Sequence, residues 1–198
     1  MTSKAAKKPV GEAYERIMEV ASDLFFKQGY RATGINQIIE ESGVAKATFY
    51  SHFKSKDELC RQYLEGFKMG ELQNVDNFIA EAKDPIGRYL APMKSLEPWL
   101  KETAFRGCPF INIASEVPDP ASPLRKAGID VYTQVGEKVA RVCRELVESD
   151  SSYRHLDHRQ LAKDYMLIFA GAVAMSELYH DIRPARQAME AVTSLLKQ

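Results

Sequence analysis

The sequence predicts an all-α chain: a small N-terminal unit of three helices, two of them short, then a larger helical part, about nine helices in all. Three observations predict it. Apolar residues recur at helical spacing almost everywhere. Strand signals are nearly absent. Helix start and stop signals stand at short intervals, among them Gly29, Gly43, Asp84-Pro85, Ser122-Pro123 and Arg183-Pro184.

The elements follow in order. MTSKAAKKPVGE is basic and lacks the apolar core of a secretory signal, so residues 1–11 read as a disordered arm. The first helix runs from about Glu12 to Gln28, with Tyr14, Ile17, Met18, Ala21, Leu24 and Phe25 on one stripe. Thr33 then stands as an N-cap before a helix of about two turns, which Gly43 closes. Ala45 to His52 is a third, short helix. Ser55 with Glu58 forms a capping-box pattern opening a fourth, which carries Leu59, Tyr63, Leu64 and Phe67 on one face.

Beyond it, Asp84-Pro85 starts a helix that Pro92 and Pro98 should kink or interrupt before Phe105. A short helix spans about Pro109 to Glu116. Ser122-Pro123 opens a long one to about Glu148, with Ile129, Val131, Tyr132, Val135, Val139, Val142, Cys143 and Leu146 as its apolar residues. After a polar loop from Asp150 to Leu156, Leu161–Tyr179 and the segment from Arg183-Pro184 to Leu196 make the last two helices.

Composition excludes several classes. Hydrophobic residues make up 45% and charged residues 27%, ordinary for a soluble protein. No apolar run reaches the ~18 residues that span a bilayer, and the expected location is the cytoplasm, with no membrane partner. Cys60, Cys108 and Cys143 lack the spacing of a zinc site or a disulfide framework, and the four histidines form no HExxH. No metal, no cofactor and no catalytic constellation are expected; Gly-rich phosphate loops and nucleophile triads are absent.

The net charge is zero, but its distribution is uneven. Residues 1–61 hold ten Lys/Arg and eight Asp/Glu, and residues 44–56 carry Lys46, Lys54 and Lys56 with no acid. The stretch GVAKATFYSHFKSKDEL holds two aromatic anchors, Phe49 and Phe53, four residues apart. With these pinned to a core, Lys46, Ala47, Thr48, Tyr50 and Ser51 are free to enter a DNA major groove, while Lys54 and Lys56 can reach phosphate. Two short helices joined by glycine also suit an all-helical interaction module whose basic patch meets an acidic protein.

The ordered run F-x-x-x-G-Y-x-A-T, I-x-x-I, S-G-V, K-x-T-x-Y-x-H-F and K-x-E-L, within residues 12–67, resembles the N-terminal domain of the TetR/AcrR family of bacterial regulators. Gly34 stands where that family usually has a small polar or β-branched residue. The resemblance implies that Ala45–His52 is the recognition helix. Lys46, Ala47, Thr48 and Ser51 would then face base edges, and Thr33, Tyr50, His52 and Lys56 would contact phosphate. It implies a helix-turn-helix DNA-binding domain over residues 12–56 and a regulatory, ligand-binding and dimerising domain over 57–198. It also implies a homodimer held by the last two helices, on a double-stranded, palindromic operator.

Two later features bear on regulation. AGAVAMS is apolar on more than one face, which asks for a second burial partner, either the chain's own core or another copy. The expected interface residues are Leu161, Tyr165, Phe169, Ala172, Met175, Ala188, Val192 and Leu195. In the segment Phe105–Glu116, Cys108, Asn112 and Glu116 recur every fourth residue among apolar neighbours. That stripe suits a cavity with a few convergent polar groups; equally, Cys108 can be a core residue and Asn112 a backbone cap. The expected pocket comprises Tyr89, Met93, Trp99, Phe105, Cys108, Phe110, Asn112, Glu116, Tyr132, Met166 and Phe169, and would take a mostly apolar small-molecule effector. The competing expectation is a thiol-based redox sensor at Cys108, whose place near a helix N-terminus would lower its pKa.

Overall fold

The computed structural model describes residues 10–197. Residues 1–9 of the expected basic arm lie outside the described residues, and Val10 and Gly11 belong to the first helix. Ten α-helices follow one another: α1 Val10–Gln28, α2 Ile35–Ser42, α3 Lys46–His52, α4 Lys56–Glu81, α5 Pro85–Lys94, α6 Leu96–Glu102, α7 Pro109–Glu116, α8 Pro123–Ser149, α9 His158–Tyr179 and α10 Arg183–Ser194. Short 3-10 turns stand at Ser151–Tyr153 and Leu195–Lys197. No strand occurs among the described residues.

Local chemistry sets most of the boundaries. Ser55 caps α4, its hydroxyl accepting from the Glu58 N–H at 3.1 Å. The Glu58 carboxylate reaches back to the Lys54 N–H at 2.9 Å, one residue earlier than the usual box. Asp84 caps α5, accepting from the Gly87 N–H at 2.6 Å, with Pro85 at the first helical position. The proline-containing segment divides at Ser95 into α5 and α6, which is why ten helices stand where nine segments are legible. Asp157 starts α9 three residues ahead of the expected Leu161 by accepting from the Arg159 N–H at 2.8 Å.

Most of the core is continuous, with a small second cluster of Val75, Ile79, Ala91 and Val142. α1 packs on α2, α3 and α4; α4 leans on α5 and α8; α8 packs on α7 and α9, and α9 on α10. One cluster of buried apolar residues runs from Ala13 and Ile17 through Leu59 and Tyr63 to Val192. The expected division between residues 56 and 57 falls at the first turn of α4, and that helix serves both sides. Its Tyr63 ring lies 5.7 Å from Phe25, and its Phe67 ring 6.1 Å from Phe110.

Several surface assignments need correction. Ile129, expected on the apolar stripe of α8, is 64% exposed. Six of the eight expected dimer residues, Leu161, Tyr165, Phe169, Ala172, Ala188 and Val192, are buried within a single chain. Leu195 packs half-buried against the same core, leaving only Met175 on the surface. The six buried residues are packed into the core of their own chain and offer a partner little surface. The stripe of α9 that does face outward carries Leu167, Met175, Leu178 and Tyr179. Among the described residues no helix is long and apolar enough to cross a membrane.

Candidate nucleic-acid interface and effector cavity

The two-helix unit is built on buried aromatics. Gly43 closes α2 in a left-handed conformation, and Ala45 begins α3 with no side-chain cap. Phe49 and Phe53 are 0% exposed, and each ring buried this way contributes about 1.5–3 kcal/mol. Tyr14 is expected on the buried stripe of α1 but is partly exposed. Its ring stacks on Phe53 at 5.4 Å, and its hydroxyl donates to the Gln62 side chain at 2.7 Å. The face of α3 opposite Phe49 and Phe53 is open. Lys46, Ala47, Tyr50 and Ser51 are exposed there, and Thr48 is half-buried. Ser51 donates to the Thr48 carbonyl at 2.7 Å. His52 is half-buried, edge-on to Tyr14, and Lys54 is exposed just beyond.

Thr33 and Lys56 do something else. Thr33 is fully buried: its hydroxyl donates to the Gly29 carbonyl at 2.7 Å and accepts from the Gln28 amide at 3.2 Å. It does not cap α2, whose N-cap is Gly34 in an extended conformation without a side-chain bond. Its hydroxyl is committed to the α1–α2 turn, which removes it from phosphate. Lys56 donates to the carbonyls of Tyr30 and Thr33 at 3.0 and 3.1 Å and lies 4.2 Å from the centre of the Tyr30 ring. The ammonium fastens the same turn from below, a role the sequence did not disclose.

A strap reaches that turn from the larger part. Glu116, the last residue of α7, accepts from the N–H groups of Tyr30 and Arg31 at 3.2 and 2.6 Å. Gly29 makes room for it: the chain there has φ +92°, and a Cβ would stand 2.5 Å from a Glu116 carboxylate oxygen. Nearby, the Arg106 guanidinium donates to the Lys27 carbonyl at 3.3 Å and pairs with Glu177 at 3.1 Å. Asn112 donates to the Arg106 carbonyl and to Glu177 at 3.0 and 3.2 Å. Asn112 and Glu116 therefore do share a helix face, but that face meets the N-terminal unit and α9 instead of a cavity.

A narrow, mostly apolar cavity of about 20 Å³ lies between α4, α6, α7, α8 and α9. Of the expected pocket residues, Trp99, Cys108, Phe110, Tyr132 and Phe169 line it. Six do not. Tyr89 is buried with its hydroxyl on the Val192 carbonyl, and the Met93 N–H donates to the Tyr165 hydroxyl in the core. Phe105 packs edge-on to His180, Met166 lines a separate surface groove, and Asn112 and Glu116 serve the strap. The structure adds Phe67, Glu71, Leu96, Val131, Val135 and Val173. Phe67, Glu71 and Trp99 also border a wider surface groove, so the cavity has a route to solvent.

Three ionisable groups in this cavity, Glu71, Cys108 and Tyr132, are pushed up by burial. Burial pushes the Cys108 thiol above its ordinary value, outweighing hydrogen bonds from the Ile111 and Phe110 backbone and from Tyr132. Cys108 is the N-cap of α7, as the redox expectation required, but desolvation opposes the thiolate that reactivity needs. Burial also lifts Glu71 to about 7 from an ordinary 4.5. The folded pKa lies above the unfolded one, so the charged carboxylate destabilises the fold. That effect is absent below pH 4.5, grows with rising pH and is complete above about 7. Glu71→Gln is expected to raise stability by up to about 3 kcal/mol at pH 8 and to change nothing at pH 4. Denaturant unfolding of both proteins at the two pH values measures this, and equal stabilities at pH 8 would exclude it.

Residues 17–63 match the family described as bacterial regulatory proteins, tetR family. Residues 85–192, more than half the chain, match the family described as Tetracyclin repressor-like, C-terminal domain. The chain belongs to the TetR family. It is similar to the HTH-type transcriptional regulator LmrA of Bacillus subtilis, 32% identical over 126 residues, which cover 63% of this chain and 67% of the relative. The HTH-type transcriptional repressor DhaR of a Mycobacterium species is 22% identical, covering 92% of this chain and 91% of its own. The crystal structure of a TetR-family transcriptional regulator from Streptomyces coelicolor superposes with a TM-score of 0.84 at 25% identity, over 94% of this chain and 95% of that one. As a TetR-family protein the chain is a DNA-binding, helix-turn-helix transcriptional regulator and not an enzyme.

Proposed function

We propose that this TetR-family regulator is a cytoplasmic, homodimeric repressor that leaves a palindromic operator when a mostly apolar small molecule enters the cavity. One observation carries the reading. The helix that contributes Phe110 to the cavity wall ends in the carboxylate that grips the α1–α2 turn. A shift of α7 by an effector is therefore felt where the recognition helix is held. Coupling of about 1–3 kcal/mol through this path changes operator affinity about 5–150-fold. The name of one relative, the repressor DhaR, agrees with repression.

In this reading Lys46, Ala47, Thr48 and Ser51 meet base edges, and Tyr50, His52 and Lys54 meet phosphate. Lys46→Ala and Thr48→Ala are each expected to weaken the best site by about 1–3 kcal/mol and to shift sequence preference. Selection of bound sites from random duplex DNA, followed by anisotropy titration of the winners, measures both. Unchanged preference and affinity in both variants would refute the assignment, and failure of the wild-type protein to enrich any duplex would refute the regulator itself.

The second copy is proposed to sit on the outward stripe of α9, where Leu167 is 75% and Leu178 73% exposed. The adjoining groove runs past Ile129, Tyr132 and Met166. An exposed apolar stripe running from Leu167 to Tyr179 is the kind of patch that self-association covers.

A further inference from the structure

Glu71 is the point of departure. It lies on α4 among aromatic and aliphatic neighbours, and no hydrogen bond or ion pair satisfies it among the described residues. Lys68, one turn earlier, is already held by Glu65 and Asp130 at 2.8 and 3.1 Å. Among the described residues lining the cavity, Glu71 is the sole charged side chain. The outer groove adds Glu102 and no Lys, Arg or His. Route and cavity thus carry only negative charge. Their walls are strongly aromatic, with Phe67, Trp99, Phe110 and Tyr132 among them.

Resting on the reading of this cavity as the effector site, we propose that its ligand class is the hydrophobic monocation: an amine or quaternary ammonium carried on an apolar body. Three physical arguments converge. A neutral ligand would seal an unpaired carboxylate away from water, which is costly unless the group takes up a proton. An anion would meet repulsion from both carboxylates. A cation relieves the carboxylate and is attracted by aromatic faces, an interaction that strengthens when water is excluded. The elevated affinity of Glu71 for a proton is the same demand met by the smallest available cation.

Trp99 is the single tryptophan of the chain and lines the cavity, so its fluorescence reports occupancy. The probes are phenyltrimethylammonium, its neutral isostere tert-butylbenzene, and benzenesulfonate, each titrated at pH 8 into the full-length protein. The cation is expected to bind about tenfold or more tightly than the isostere, with no binding of the sulfonate. Glu71→Gln, which removes an unpaired charge and should fold at least as well, is expected to bring cation and isostere within about twofold. Glu102→Gln is expected to keep most of the preference. Binding of the isostere as tightly as the cation, or a preference that survives Glu71→Gln, overturns the proposal while leaving the cavity as an effector site. Failure of every probe to change Trp99 emission overturns both.

Discussion

Arginine placed at both Leu167 and Leu178 is expected to make the protein monomeric and to lower operator affinity by about two orders of magnitude or more. Both leucines point away from their own chain, at 75% and 73% exposure, one on each side of Met175 along α9. Arginine at such positions is well solvated in a monomer, so the subunit itself should stay folded. In a dimer, the same guanidinium groups would be buried without partners, at a cost of several kcal/mol each. Loss of the partner then removes the second recognition helix, and with it the gain from binding two half-sites at once. Sedimentation at micromolar concentration gives the assembly state, and anisotropy on the selected operator gives the affinity. A folded dimer with wild-type affinity would place the interface on another face. Arginine at Ala172 does not make this test, because that side chain is 4% exposed within one chain and its replacement attacks the fold.

Gly29→Ala is the second change with a large expected effect. It strains a backbone at φ +92° and drives a methyl group toward the Glu116 carboxylate, 2.5 Å from its oxygen. We expect about 1–3 kcal/mol of lost stability. We also expect the response of DNA affinity to effector to fall from the proposed change of about 5–150-fold toward unity. Glu116→Ala should abolish the response in the same way, and the double variant should add little to either single one, because all three break one contact. Operator titrations with and without a saturating effector, run as a double-mutant cycle, measure it. Additive losses in the double variant, or full effector response in Gly29→Ala, would separate the strap from signalling.

How much of this was written in the chain depends on the range of the interaction. Ser55, Asp84 and Ser122 start helices through bonds to residues two or three positions on, so their sequence signals are reliable. Thr33 has the same chemistry but spends its hydroxyl on Gly29, four residues back, because it is drawn under the turn. The amphipathic face of α3 was legible from Phe49 and Phe53 alone. The orientation of α9 was not. A helix apolar on several sides tells that two burial surfaces exist, not which one meets its own chain: Tyr165, expected at the interface, is buried in the core, and Leu167 stands exposed. Asn112 and Glu116 were correctly grouped on one face of α7, yet what lies across from that face is fixed by α1 and α9, far away in sequence. Glu71 drew no expectation from the sequence. Its signal was there: it falls on the same stripe of α4 as Leu64, Phe67 and Phe78, where a carboxylate is out of place.

The strap also bears on how such a protein changes over generations. Glu116 grips main-chain N–H groups of Tyr30 and Arg31, not their side chains. Every residue except proline offers an N–H, so most of the turn can be rewritten without disturbing the grip. Only the position before it, Gly29, is bound to one residue type. A reading head with new base preferences could therefore be grafted ahead of α4 and still be heard by the same sensor, provided it arrives with a glycine and a turn of the same length. Operator and effector specificity can drift independently across a strap that reads backbone alone, so long as the packing of Phe25 on Tyr63 is kept.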